Sequence, residues 1–267
     1  MTMLDKTNLP IGFFDSGVGG LSVLSRFRTV LPKEDVIYYG DTIHLPYGNK
    51  SQEELIGYAK NILDFMISKN VKAVVIACNT SSAQAYDTIK DMYSFPIYPI
   101  IQSCVKGIGV NNYKRIGVFA TEATVKSQKY SIELLKGNSN IQVKEIASKN
   151  WVKIVEGVGS ADDINLWKSN IKTEIAEMLK FNPDKIILGC THYPYLIDEF
   201  IKYTPKELFI DPAEIFVKYI KRDMEIKELL STDDKIGTEQ FYVSSNPEEF
   251  VKNAKIFYTI KELPSVV

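Results

Sequence analysis

The chain has 267 residues, with 32 Lys+Arg against 33 Asp+Glu and a formal net charge of -1, a balance that offers no whole-protein field to gather nucleic acid or an anionic membrane surface. Hydrophobic residues make up 45% and charged residues 24%, as in ordinary globular proteins, and no apolar run approaches the about 20 residues that a membrane span needs. The length suits two domains at roughly 100–200 residues each.

In chain order, Met1–Pro10 is too short and too polar to read as a secretory signal. Ile11–Phe14 reads as a first strand, Leu21–Val30 as a helix and Val36–Tyr39 as a second strand. Ser51-Gln52-Glu53-Glu54 has the form of a capping box, and Leu55, Ala59, Ile62 and Met66 recur behind it at helical spacing. Val71–Ala77 reads as an apolar strand of the kind buried in a parallel sheet. Phe95-Pro96-Ile97-Tyr98-Pro99 interrupts this pattern, and the boundary between two units is expected within Pro96–Gly107. The second half then repeats the plan. Ile11-Gly12-Phe13-Phe14-Asp15-Ser16 aligns with Ile116-Gly117-Val118-Phe119-Ala120-Thr121, and Val74–Thr80 resembles Ile186–Thr191 at nearly the same offset. The β-α-β-α order and the repeat predict a duplicated α/β unit with mainly parallel sheets and right-handed crossovers. The tail reads as a helix over Pro212–Leu230, a strand over Phe241–Ser244 and a last helix opening at Asn246-Pro247-Glu248-Glu249. It is too short for a third domain and is expected to pack onto one of the two.

Cys78 and Cys190 each follow a buried apolar strand and precede small hydroxyl or amide residues. Ligands in open α/β sheets bind at the carboxyl ends of strands. A cysteine there faces the start of the next helix, which predicts a lowered thiol pKa. A buried cysteine can also simply fill core, and Cys104 reads that way. The three cysteines, odd in number and far apart, make no disulfide framework and point to a reducing compartment. Asp15-Ser16-Gly17-Val18-Gly19-Gly20 is a glycine-rich turn between strand and helix. Such a turn can cradle a phosphate, yet it fits neither the dinucleotide fingerprint nor a P-loop. Asp15 is placed to meet a ligand ammonium or position a base, or to cap the next helix. His192, two residues after Cys190, is placed to hold a thiolate or relay a proton. His44, in Asp41–Gly48, reads as a surface loop histidine.

Four motifs together resemble those of the bacterial glutamate racemases of the aspartate/glutamate racemase family: Asp15–Gly20, Pro46-Tyr47-Gly48, Ala77-Cys78-Asn79-Thr80 and Gly189-Cys190-Thr191-His192-Tyr193-Pro194. They occur in the family's order and spacing, and the likeness runs through the Asn246–Tyr258 tail helix. The resemblance implies two similar, pseudo-twofold-related α/β domains with the active site in the cleft between them, the last segment returning to the first. That gives domains of residues 1–100 plus 211–267 and of 101–210. It implies a cofactor-independent, metal-free racemase of glutamate that supplies D-glutamate for peptidoglycan in the bacterial cytoplasm. No nucleic acid or membrane partner is expected, and the family leaves room for a homodimer. Carried over, Cys78 takes the α-proton of D-glutamate and Cys190 that of L-glutamate, with Asp15 and His192 assisting. Ser16, Tyr47, Gly48, Asn79, Thr80, Thr121, Thr191 and His192, with Asp15, hold the substrate, and Glu156 matches an acidic position that supports His192. Asp41-Thr42-Ile43-His44 departs from the family's common Asp-Thr-Ala-Arg. With no long N-terminal extension, control by a cell-wall precursor is not expected. The competing readings are an aspartate racemase, a non-enzymatic two-domain binding protein, and a redox or metal protein built on Cys78, Cys190 and His192.

Overall fold

The computed structural model describes residues 6–267; residues 1–5 of the Met1–Pro10 segment lie outside them. The strands among the described residues are β1 (Ile11–Asp15), β2 (Val36–Gly40), β3 (Ala73–Ile76), β4 (Ile97–Pro99), β5 (Arg115–Ala120), β6 (Gln142–Ala147), β7 (Lys185–Gly189), β8 (Phe209–Ile210), β9 (Glu239–Val243) and β10 (Ser265–Val266). They form a six-stranded sheet in the order β10-β9-β2-β1-β3-β4 and a four-stranded sheet in the order β6-β5-β7-β8. Every pairing is parallel. The order β2-β1-β3-β4 recurs as β6-β5-β7-β8, so the segments that align in sequence occupy equivalent strands. The tail joins the first sheet through β9, whose Glu239 lies opposite Val36.

Side chains alternate across each sheet, as the pleat requires. Phe13 and Val75 face a core shared by the two sheets, where the helices Leu21–Val30, Ile100–Ile108 and Pro212–Ile226 pack together. Phe14, Val74 and Ile76 face the other way, onto helix Gln52–Ser68. In the second sheet Val118 and Ile187 point to the shared core, while Phe119, Ile186 and Leu188 point to an outer layer with Trp151, Ile171 and Ile175. Helix Gln52–Ser68 opens on a complete capping box: Glu54 N–H donates to Ser51 Oγ at 3.2 Å, and Ser51 N–H to Glu54 Oε2 at 2.8 Å. It buries Leu55, Ala59, Ile62 and Met66 as their spacing predicts.

Within the proline-rich stretch, Ile97–Pro99 forms β4 at a sheet edge and Ile100–Ile108 a helix; edge strands tolerate proline. Two sequence expectations are corrected. The strand expected over Val71–Ala77 begins only at Ala73, after Lys72, which is buried in an ion pair with Glu34 at 2.5 Å. The helix expected to reach Leu230 ends at Ile226, before Glu228 turns the backbone left-handed at φ 53°.

Candidate active site

The carboxyl ends of the neighbouring strands β1 and β3 in one sheet and β5 and β7 in the other converge. β1 delivers Asp15 and Ser16, β3 delivers Cys78, Asn79 and Thr80, β5 delivers Thr121, and β7 delivers Cys190, Thr191 and His192. The turn Tyr47–Asn49, downstream of β2, adds Tyr47 and Gly48. All of these residues, with Glu156, line one cavity of about 520 Å³. Both thiols are largely buried, at 6% and 7% exposure for Cys78 and Cys190, yet both open on this cavity. Cys104 is sealed in the shared core, as read from the sequence.

The surroundings of the two thiols differ. Cys78 precedes helix Asn79–Gln84, but its pKa runs opposite to the expected lowering: burial and the nearby Asp15 carboxylate push it up to about 12, against hydrogen bonds from Ser81. Desolvation outweighs the donors at the helix start. Cys190 Sγ lies 3.8 Å from His192 Nδ1, and His192 Nε2 is 3.0 Å from Glu156 Oε1. Burial disfavours the imidazolium, but hydrogen bonds and charge from Cys190 and Glu156 prevail and raise His192 to about 10. One thiol therefore sits beside an imidazole and the other beside a carboxyl group.

Asp15 is buried and accepts the Gly17 N–H at 3.0 Å on Oδ1. Burial raises its carboxyl pKa, with Gly17 and His192 opposing. It does not cap the following helix, which begins at Leu21 behind Gly20 without a side-chain cap. The glycines of this turn serve close packing. A Cβ at Gly19 would strike Thr191 Oγ1 and the His192 ring, and one at Gly20 would meet Asp15 Cβ and Tyr38 Oη. Tyr47 Oη donates to Asp41 Oδ2 at 2.5 Å, and His44 Nδ1 lies 2.8 Å from the same oxygen. His44 also stacks on Tyr58 with ring centroids 3.8 Å apart. The residue read as a surface loop histidine is thus half-buried and braces the loop that carries Tyr47, without reaching the cavity.

Hydrogen bonds join the two sheets' residues around the site. Thr80 Oγ1 is 3.0 Å from Thr121 Oγ1, Tyr130 Oη donates to Asn79 Oδ1 at 2.7 Å, and Ser22 Oγ donates to the Thr191 carbonyl at 3.1 Å. The sequence reading missed part of the wall: Leu45, Glu122, Ser148, Lys149, Asn150, Val152 and Lys153 also line the cavity. Ser148 directly follows β6, so the rule that found the cysteines extends to it. No three His, Cys, Asp or Glu side chains cluster as metal ligands among the described residues, and no helix among them is long and apolar enough to cross a membrane.

This architecture defines a two-sheet α/β protein in which strand ends of both sheets meet at one cavity, with one thiol from each opening on it. The Asp/Glu/Hydantoin racemase family matches residues 21–220. The glutamate racemase of Trichormus variabilis is 38% identical over 247 residues, covering 90% of this chain and 82% of that protein. That of Carboxydothermus hydrogenoformans is 37% identical over 256 residues, covering 96% and 94%. The crystal structure of glutamate racemase from Francisella tularensis in complex with D-glutamate superposes with a TM-score of 0.88 at 32% identity, covering 98% of each chain. The chain belongs to the Asp/Glu/Hydantoin racemase family and is an isomerase that does not need pyridoxal phosphate.

Proposed function

We propose that the chain interconverts L- and D-glutamate by two-base proton transfer, with Cys78 acting on the α-proton of D-glutamate and Cys190 on that of L-glutamate. The observation that carries this reading is the opening of two thiols, one from each parallel sheet, onto one cavity. The glutamate racemase relatives and the D-glutamate complex of one of them support the choice of substrate.

Racemisation must remove a proton from one face of Cα and return one to the other. In the L-to-D direction the Cα–H bond breaks as an S–H bond forms at Cys190. The Cys78 S–H then breaks as a new Cα–H bond forms on the opposite face. Each turnover leaves the sulfurs with exchanged protonation states. His192, held by Glu156, stands beside Cys190, and burial with the Asp15 carboxylate favours the protonated thiol at Cys78. The carbanion-like transition state places extra negative charge on the α-carboxylate, where hydroxyl, amide and backbone N–H donors from Ser16, Asn79, Thr80, Thr121 and Thr191 stabilise it. Tyr47 and Gly48 complete the substrate wall. The work divides between a unit of residues 1–100 plus 211–267 and one of 101–210. On this reading the product D-glutamate supplies peptidoglycan synthesis in the cytoplasm.

Circular dichroism of pure protein incubated separately with L-glutamate and L-aspartate tests the proposal. Loss of optical activity from glutamate, abolished by thiol alkylation, is the expected result. Racemisation of aspartate alone overturns the choice of substrate, and tight amino-acid binding with unchanged ellipticity overturns catalysis.

A further inference from the structure

The work of His192 depends on which way its ring points. Nδ1 lies 3.8 Å from Cys190 Sγ and Nε2 lies 3.0 Å from Glu156 Oε1, so a half-turn of the ring about Cβ–Cγ undoes both contacts. Glu156 alone is a soft hold. Its side chain is 25% exposed, so water competes for the carboxylate. It also ends a helix of only 6 residues, Trp151–Glu156, before Gly157 turns left-handed at φ 66°.

Two other segments close on the ring. The glycine-rich turn passes so near that a Cβ on Gly19 would lie 2.4 Å from His192 Cε1. From the tail, beyond helix Pro247–Ala254, the Phe257 ring crosses the imidazole at 82° with centroids 5.3 Å apart. This is the edge-to-face arrangement that aromatic rings prefer. Phe257 is held in turn: Tyr195 crosses it at 79° with centroids 4.6 Å apart, and its N–H donates to the Ala254 carbonyl at 2.8 Å. Phe257 belongs to the core shared by the two sheets, but filling that core does not require it to meet His192. The adjacent Ile256 is 49% exposed, so the tail turns one large side chain inward here, and it lands on the imidazole. A segment anchored to the first sheet through β9 thus touches a histidine carried at the end of β7 in the second.

We propose that Phe257 is a positioning residue for His192, walling the imidazole so that Nδ1 stays toward Cys190 and Nε2 toward Glu156. The inference rests on the assignment of His192 as the assistant of Cys190. It deepens that assignment, because the tail of the first sheet then completes the acid–base apparatus of the second.

The test is circular dichroism of L-glutamate racemisation by the full chain, giving kcat and KM for wild type, Phe257→Leu, His192→Asn and the double variant. Leucine keeps apolar bulk and removes the ring. Phe257→Leu is expected to lower kcat about two- to tenfold, the population shift that an aromatic pair of this geometry sets. KM is expected to hold within about twofold, because Phe257 does not line the cavity. In the His192→Asn background the same change is expected to have no further effect, whereas a purely structural role costs the same in both. A wild-type kcat in Phe257→Leu overturns the proposal, as does an equal loss with and without His192. If Phe257→Leu does not fold, Tyr195→Leu removes the ring behind Phe257 and is read in the same two backgrounds, with the same outcomes deciding. A wild-type chain that fails to racemise glutamate refutes the proposed function itself; one that racemises it while Phe257→Leu matches it refutes only the role of Phe257.

Discussion

Replacing Glu156 by Gln keeps an acceptor oxygen beside His192 Nε2 and removes only the charge, which makes it the sharpest probe of the Cys190 side of the site. The carboxylate oxygen stands 3.0 Å from Nε2. Two unit charges at that separation attract by about 5 kcal/mol at an effective dielectric near 20. The Glu156 side chain is 25% exposed, so screening reduces this, and the measured influence of one adjacent opposite charge is about 1–3 pKa units. His192 stands at about 10 with Cys190 and Glu156 both supporting it. Losing one supporter is expected to bring it down by about 1–2 units. The sign of the linked stability change follows. A histidine raised from 6.5 to about 10 on folding contributes stability that is fully present below pH 6.5 and disappears as pH rises through 10. Glu156→Gln is therefore expected to destabilise the protein by about 1–3 kcal/mol at pH 6, with little difference from wild type above pH 10. The chain has 2 histidines, so the imidazole Cε1 resonances give two titration curves, and His44→Gln assigns them. Urea unfolding at the two pH values gives the stability difference. A His192 that titrates near its ordinary value in wild type, or that ignores the Glu156 change, refutes the electrostatic reading of this site.

Removing either sulfur separates the two half-reactions: Cys78→Ala and Cys190→Ala should each lower racemisation by at least about 10³-fold, while each retains α-hydrogen exchange in deuterated water from one enantiomer only; near wild-type turnover in either variant ends the two-base account. Gly19→Ala puts a methyl against Thr191 and His192. It should cost about 1–3 kcal/mol in urea unfolding and lower kcat, and a variant with wild-type values on both counts shows that the turn can yield. Tyr130→Phe leaves the buried Asn79 Oδ1 without its 2.7 Å donor and should destabilise by about 1–3 kcal/mol; a KM for glutamate that does not rise would show that Asn79 is held without Tyr130.

What the sequence made legible followed from residues whose local context is decisive. Cys78 and Cys190 stand at the ends of apolar strands, and the strand-end rule locates them whatever the rest of the fold does. Thr121 aligns with Ser16 in the repeat, but its assignment to the site came only from the family resemblance. Glu156 was reached only through family resemblance, because its place beneath His192 depends on a helix, Trp151–Glu156, whose position is set by packing against Phe119 and Phe200. The brace formed by Asp41, His44 and Tyr47 was illegible for a related reason: nothing in a loop sequence says which side chains fold back on one carboxylate. The direction of the Cys78 shift was misread because a helix start promises donors, whereas burial and the Asp15 carboxylate are properties of the assembled site.

That misreading also shows how the site can work. Were both thiols lowered by their helix starts, both would tend to ionise together, and two thiolates facing one substrate have no acid to complete the transfer. The structure instead sets Asp15 near Cys78, where burial and that carboxylate favour the protonated thiol, and His192 beside Cys190, so the two thiols meet different surroundings. A duplicated fold supplies the opposed geometry, but symmetry alone would give two equivalent bases. On the proposed reading, the differences between the copies, a carboxylate at the end of β1 where β5 ends in Ala120, and a histidine after Cys190 where Cys78 is followed by Asn79 and Thr80, turn a symmetric scaffold into an acid–base pair.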